Sequence, residues 1–199
     1  EPLQLGCDAL LELEHGRCRN LLRYWISKNG FLTPSSAVID RIIYEGLHSR
    51  ADAHPLIDWF GAEVRRYRNR LYLMQRAPSE PEYAPLKWDI RSELQLGEGL
   101  CLLRSVKRVG AGIRARLRAD SEVTVRWREG GERIQPQGRT EHHTLKNLFQ
   151  EAGIPPWQRE RYPLIYIGEK LVYIPNLYAA DEFAVEKDEE GLLFEWNPH

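Results

Sequence analysis

Arginine interleaved with aromatic residues is the chemistry this sequence offers most openly. Arg65, Arg66, Arg68 and Arg70 surround Tyr67, Arg126 and Arg128 flank Trp127, and Arg159 and Arg161 lie between Trp157 and Tyr162. A guanidinium is a planar fork of donors that grips phosphate through two bonds at once, and its plane stacks on flat rings. That pairing suits RNA. The same spacing has a plain structural use, with aromatics filling a core from one strand face and arginines occupying the wet one. Trp127 and Trp157 are read as core residues on that account.

Charge is distributed unevenly along the chain. From Arg104 to Arg139, a stretch that includes Arg133, there are ten Lys or Arg against four Asp or Glu. From Asp181 to His199 there are seven acidic residues and one Lys. A basic middle and an acidic tail fit one basic surface facing a polyanion. Two solvated faces of opposite sign fit the pattern as well. The net charge of −1 decides nothing by itself.

The motifs of familiar catalysts are absent. There is no GxxxxGK followed by Ser or Thr to cradle phosphates, no GxSxG nucleophile elbow and no HExxH zinc helix. The glycine pairs Gly97-Glu98-Gly99 and Gly110-Ala111-Gly112 read as turns between strands. Cys7, Cys18 and Cys101 form no CxxC pair, and an odd, widely spaced set fits a reducing cytoplasm. His142 and His143 are adjacent and point different ways on most backbones, so no metal site is expected. No run approaches the ~18 apolar residues of a membrane span. No signal peptide opens the chain. The first residue is Glu1 rather than Met, as expected of a fragment or processed product.

The elements that must position these groups follow from periodicity. Leu11, Cys18, Leu22, Trp25 and Ile26 form one helical stripe, and Gly30 stops it. Thr33-Pro34-Ser35-Ser36 starts a second helix carrying Val38, Ile39, Ile42, Ile43 and Leu47. Residues 64–73 read as a hairpin turning near Asn69, with Leu71 and Leu73 on one face; a helix is the competing reading. Residues 77–85 are rich in proline and polar residues and read as a linker. Beyond them the period becomes two at Leu86, Trp88 and Ile90, follows the apolar run Leu100–Leu103, and returns at Val123–Arg128. Gly130-Gly131 ends that strand. Thr144 caps a helix with Leu145, Leu148, Phe149 and Ala152, closed by Gly153. A hairpin spans Pro163–Ile174, and Leu192–Trp196 forms a last strand.

Two stretches resemble a known family. Residues 123–175 are similar to the C-terminal domain of tRNA-isoleucine lysidine synthetases. The resemblance rests on Arg126 and Arg128, Gly130-Gly131-Glu132, Lys146 with Phe149, and the corner Pro156-Trp157-Gln158-Arg159-Glu160-Arg161-Tyr162-Pro163-Leu164. Leu21–Trp25, Pro34-Ser35, Val64–Arg68 and Leu71–Leu73 resemble, more loosely, the family's helical substrate-binding domain. The resemblance implies an ATP-dependent ligase that attaches lysine to the wobble cytidine of an isoleucine tRNA with a CAU anticodon. The family's SGGxDS-type pyrophosphate loop is absent here, so no ATP-site or lysine-site residue carries over.

The expectation is an α+β protein. A small helical tRNA-binding domain spans 1–76, the linker 77–85, and a mixed, mainly antiparallel α+β tRNA-binding domain 86–199. Arg65, Arg66, Arg68, Arg70, Arg126, Arg128, Arg133, Arg139, Lys146, Arg159 and Arg161 are the candidate RNA contacts. No catalytic residue, metal or cofactor is expected in this chain; ATP and lysine belong to the longer enzyme. Its partners would be tRNA and its own N-terminal catalytic domain, in the cytoplasm and away from membranes. Arg159 and Arg161 serve equally well as ion-pair partners holding the corner, and Gly130-Gly131-Glu132 as a simple chain reversal. A protein-interaction or dimerisation module is the alternative, and a homodimer is left open.

Overall fold

Cys18, Leu22, Trp25 and Ile26, three and four residues apart, bury one face of α2 (His15–Lys28). The helix ends as the sequence predicts. Gly30 takes φ +82°, and Phe31 N–H reaches back to the Ile26 carbonyl at 3.2 Å. Leu11 does not extend the stripe. It closes the short α1 (Cys7–Leu11), the helix is interrupted before His15, and Leu11 is left exposed because the helical phase is lost there. The next helix, α3 (Ser36–Arg41), is capped by Ser35, whose hydroxyl accepts from Val38 N–H, so Pro34 precedes the cap. It runs on into a π-helical turn, Ile42–Leu47.

The computed structural model describes residues 3–50, 53–76, 84–96, 102–114 and 122–197. Most of the expected linker, the Gly97-Glu98-Gly99 turn and the Leu100-Cys101 start of the apolar run lie outside these residues. The chain divides into two compact units, Glu1–Glu80 and Pro81–His199.

In the first unit the helices cover one face of a four-stranded antiparallel sheet. It contains β1 (Gln4–Gly6), β2 (Leu56–Trp59), β3 (Ala62–Tyr67) and β4 (Arg70–Gln75), in the order β1-β4-β3-β2. The 64–73 segment is thus a hairpin rather than a helix, with Arg68-Asn69 at the turn and Leu71 and Leu73 both buried. The first unit is therefore itself α+β, with more sheet than a helical label conveys. Its core joins Leu22, Ile26, Ile39 and Ile42 to Ile57, Val64, Leu71 and Leu73. Cys7 and Cys18 lie within that core as free thiols, and burial raises the pKa of both.

The second unit is built on two antiparallel sheets. One holds β5 (Leu86–Lys87), β9 (Val123–Arg126), β12 (Leu164–Ile167), β13 (Lys170–Ile174) and β14 (Tyr178–Ala179), in the order β14-β13-β12-β9-β5. The other holds β6 (Leu94–Gln95), β7 (Leu102–Val109), β8 (Ile113–Arg114) and β15 (Glu190–Asn197), in the order β6-β7-β15-β8. Their shared core includes edge-on contact of Tyr173 with Phe194 at 5.1 Å and of Tyr162 with Trp196 at 4.4 Å. The strand expected through Trp88 and Ile90 is shorter than its pattern. Only Leu86 and Lys87 pair, although Trp88 and Ile90 are still buried.

The small ribbon β10 (Arg133–Ile134) and β11 (His143–Thr144) leads into α4 (Leu145–Glu151), followed by α5 (Pro156–Arg159). Thr144 caps α4 as predicted, accepting from Asn147 N–H, and Leu145, Leu148 and Phe149 are buried. Gly112 is set by close approach. It has φ +93°, and a Cβ there would overlap the Leu192 carbonyl oxygen.

Candidate nucleic-acid interface

Alternation along β3 separates the two adjacent arginines, because neighbouring side chains of a strand point to opposite faces. Arg65 shares the face turned away from the helices with Tyr67, Arg70 and Tyr72; the register pairs Arg65 with Tyr72 and Tyr67 with Arg70. Arg65 Nε donates to Glu63 at 2.8 Å, and Glu63 is the one buried charged residue among those described. Arg68 occupies the turn at φ +52°, its guanidinium 5.4 Å from the Tyr67 ring centroid. Arg70 is exposed and makes a long 3.4 Å bond to Gln4.

Arg66 points the other way and is committed to the backbone. Its Nη1 donates to the carbonyls of Leu47 at 2.7 Å and Ser49 at 2.8 Å, with a longer bond to Gly46. These are carbonyls at the end of the π-helical turn, where helical partners run out. Arg66 thus fastens helix to sheet and stands apart from the other three.

In the second unit Arg126 is held by four acceptors. Its guanidinium meets Glu169 through two bonds of 2.9 Å and the Gly168 carbonyl at 2.7 Å, while Nε reaches Thr124. It also lies over the Tyr166 ring at 4.6 Å. The hydrogen bonding of Arg126 to Glu169 raises the Arg126 pKa, and the same bonding lowers that of Glu169. Burial, with Glu132 nearby, pushes the Tyr166 phenol up.

The Gly130-Gly131-Glu132 sequence is a turn closed on itself. Both glycines have positive φ, +107° and +89°, in open space. Glu132 Oε1 accepts from the N–H groups of Glu129 and Gly130 at 2.5 and 2.8 Å. Arg128 Nε stands 3.9 Å from Glu132 Oε2. The turn ends at the start of α4, because Leu145 N–H donates to the Glu132 carbonyl and Arg133 pairs in register with Thr144.

Arg133, which bonds the His142 carbonyl, and the exposed Lys146 therefore gather at one end of α4. Lys146 has no hydrogen bond or ion pair among the described residues. At the other end Arg139 meets Glu151 at 3.0 Å and lies over the Tyr178 ring at 5.4 Å. Arg159 holds the corner through a 2.8 Å bond to the Ile154 carbonyl, whereas the exposed Arg161 side chain has no partner among the described residues. Trp157 and Trp127 are half-buried, and Trp127 packs against the core.

Residues 5–72 match the family model of the TilS substrate binding domain, and residues 123–196 match that of the TilS substrate C-terminal domain. The chain belongs to the TilS family. It is 38% identical over 195 residues to a tRNA(Ile)-lysidine synthase of Coxiella burnetii, covering 98% of this chain and 43% of that protein. With the tRNA(Ile)-lysidine synthase of Methylococcus capsulatus it shares 34% identity over 199 residues, 100% of this chain and 45% of that protein. The chain spans less than half the length of these relatives. A crystal structure of a TilS C-terminal domain aligns with a TM-score of 0.48 and 19% identity, over 58% of this chain and 97% of that one. Arg65, Arg66, Arg68 and Arg70 fall within the TilS substrate binding match, and Arg126 through Arg161 within the TilS C-terminal match.

A further row of basic residues lies on α2 of the TilS substrate binding match. His15, Arg19 and Arg23 recur every fourth residue and share one helix face. That spacing was the available signal, hidden because the residues are not adjacent in sequence.

Proposed function

We propose that this chain is the tRNA-holding region of a cytoplasmic tRNA(Ile)-lysidine synthase. In this reading the longer enzyme uses ATP to join lysine to the wobble cytidine of an isoleucine tRNA, and ATP and lysine bind outside the residues of this chain. The chain alone grips tRNA and does not catalyse. The observation that carries the reading is the match of both units to TilS substrate domains.

The geometry supports the same division of labour. Arg65, Arg68 and Arg70 lie on or beside the sheet face turned away from the helices, and Arg133, Arg139 and Lys146 are arrayed along α4. Isoleucine and methionine tRNAs can share a CAU anticodon, so selection needs contacts elsewhere, and helical RNA is read by phosphates, 2′-hydroxyls and shape. Arg66 and Arg159, bonded to backbone carbonyls, are assigned to holding the fold.

The test is binding of this chain to unmodified isoleucine and methionine tRNAs across a salt series. Each phosphate contact should add about 0.7 to 0.9 to the log–log slope. Steep salt dependence with preference for isoleucine tRNA is the expected result. No binding at low salt overturns the reading.

A further inference from the structure

On the outer seam of the first unit's helices, α2 presents His15, Arg19 and Arg23 at intervals of four. Ser36, Asp40 and Tyr44 recur at the same interval on α3 and the π-helical turn that extends it. The rungs between them are loosely made. Arg23 Nη2 donates to Ser36 Oγ at 2.7 Å, while Arg23 Nε is buried without a hydrogen-bond partner among the described residues. Arg19 Nε stands 3.4 Å from Asp40 Oδ1, and His15 Nε2 stands 3.7 Å from the same oxygen. One carboxylate thus serves two basic groups. The neighbouring Arg41 is matched by Glu45 at 2.8 Å and adds no net charge.

Tyr44 sits at one end of this seam. The residue is 64% exposed, and its ring lies between the rings of His15 and His48 at 6.0 and 6.3 Å. Its hydroxyl has no partner among the described residues. Burying an aromatic ring is ordinarily favourable, yet the fold holds this one out to solvent on a π-helical turn, a rare geometry often found at functional sites. The groups beside it are imidazole, guanidinium and carboxylate, unlike the apolar centre of a protein–protein interface. Flat rings beside guanidinium groups match the chemistry of an RNA strand, whose bases stack while its phosphates pair with cations.

We propose that this seam is a second RNA-contacting surface, on which an unpaired nucleobase stacks on Tyr44 and the adjoining phosphates meet Arg19 and Arg23. The proposal rests on the tRNA-binding reading and adds a surface separate from the arginines of β3 and β4.

The experiment measures binding of unmodified isoleucine tRNA to the whole 199-residue chain across a salt series that starts at low salt, for wild type, Tyr44→Ala, Tyr44→Phe and Arg19→Gln. Tyr44→Ala should weaken binding by about five- to 150-fold, the range for losing one base stack. Tyr44→Phe keeps the ring and should bind close to wild type. Arg19→Gln should lower the salt slope by roughly one phosphate contact. Thermal melting of each variant separates lost binding from lost folding, and the exposed Tyr44 can be replaced without disturbing the core. Wild-type affinity in Tyr44→Ala overturns the proposal while leaving the broader reading intact. Equal losses in Tyr44→Ala and Tyr44→Phe overturn the stacking role. A wild-type dimer that Tyr44→Ala dissociates, seen by light scattering, assigns the seam to self-association and also overturns it. Failure of the wild type to bind any tRNA overturns the broader reading, and this proposal with it.

Discussion

Arg126 and Glu169 close a two-bond ion pair between the end of β9 and the β12–β13 turn, with both contacts at 2.9 Å. The carboxylate is 87% exposed and the guanidinium 24% exposed, so the pair shields a cation from ligands without burying either charge deeply. Glu169→Gln should therefore leave the thermal midpoint almost unchanged, as exposed ion pairs contribute little. It should also tighten tRNA binding, because Arg126 gains freedom and the surface loses a negative charge. Tighter binding with a steeper salt slope is the expected outcome; weaker binding would show that the pair positions Arg126 for contact. Glu169 has its pKa lowered by Arg126, so the ionised pair is present above the ordinary carboxylate value and is lost as pH falls through the lowered one.

Arg66 and Arg70 should respond oppositely to replacement although both stand in one basic cluster of the sequence. Arg66→Ala removes the donor from the Leu47 and Ser49 carbonyls and should destabilise the first unit by roughly 2 kcal/mol, in the range for hydrogen bonds to a charged group. Arg70→Ala, at an exposed site, should change stability by less than about 0.5 kcal/mol and act on tRNA binding instead. Urea unfolding followed by hydrogen exchange of the β3 and β4 amides reads the first unit directly. Equal stability of the two variants would remove Arg66 from its structural role.

Tyr173 makes the second unit sensitive to alkali. Burial pushes its phenol up to about 12 from 10.0. The unfolded chain releases this proton first as pH rises, so the stabilisation is fully present below pH 10 and is lost between 10 and about 12. Alkaline unfolding of wild type and Tyr173→Phe, monitored by near-ultraviolet circular dichroism, checks this. The variant cannot ionise there and should lose less stability across that interval. Parallel decline of the two would show that other groups dominate.

Much of the architecture was legible because local rules and burial agree. The 3.6 period of Cys18, Leu22, Trp25 and Ile26, the Gly30 stop, the Thr144 cap and the alternation through β9, β12 and β13 each state an element and its buried side. Leu11 misled because a helix break leaves nearly correct spacing while destroying phase. Trp88 and Ile90 misled because burial goes on alternating after the paired strand stops at Lys87, with one further backbone bond, from Trp88 N–H to the Val123 carbonyl at 2.9 Å.

By itself, the sequence determined the α+β class, the positions of most helices and strands, and the family resemblance later found in both units. It also determined that arginine and aromatic residues would lie together, since their proximity along the chain is covalent. Only the tertiary structure decided which arginines are committed to the protein's own backbone. Strand alternation sends Arg65 and Arg66 to opposite faces, and the carbonyls that claim Arg66 belong to residues 17 to 20 positions away. Likewise, Tyr44 meets His15 only because α2 and the π-helical turn lie alongside each other. A hydrogen bond or ring contact depends on angstrom-scale approach of distant segments, and hydrophobic patterning specifies which faces are buried without specifying those distances.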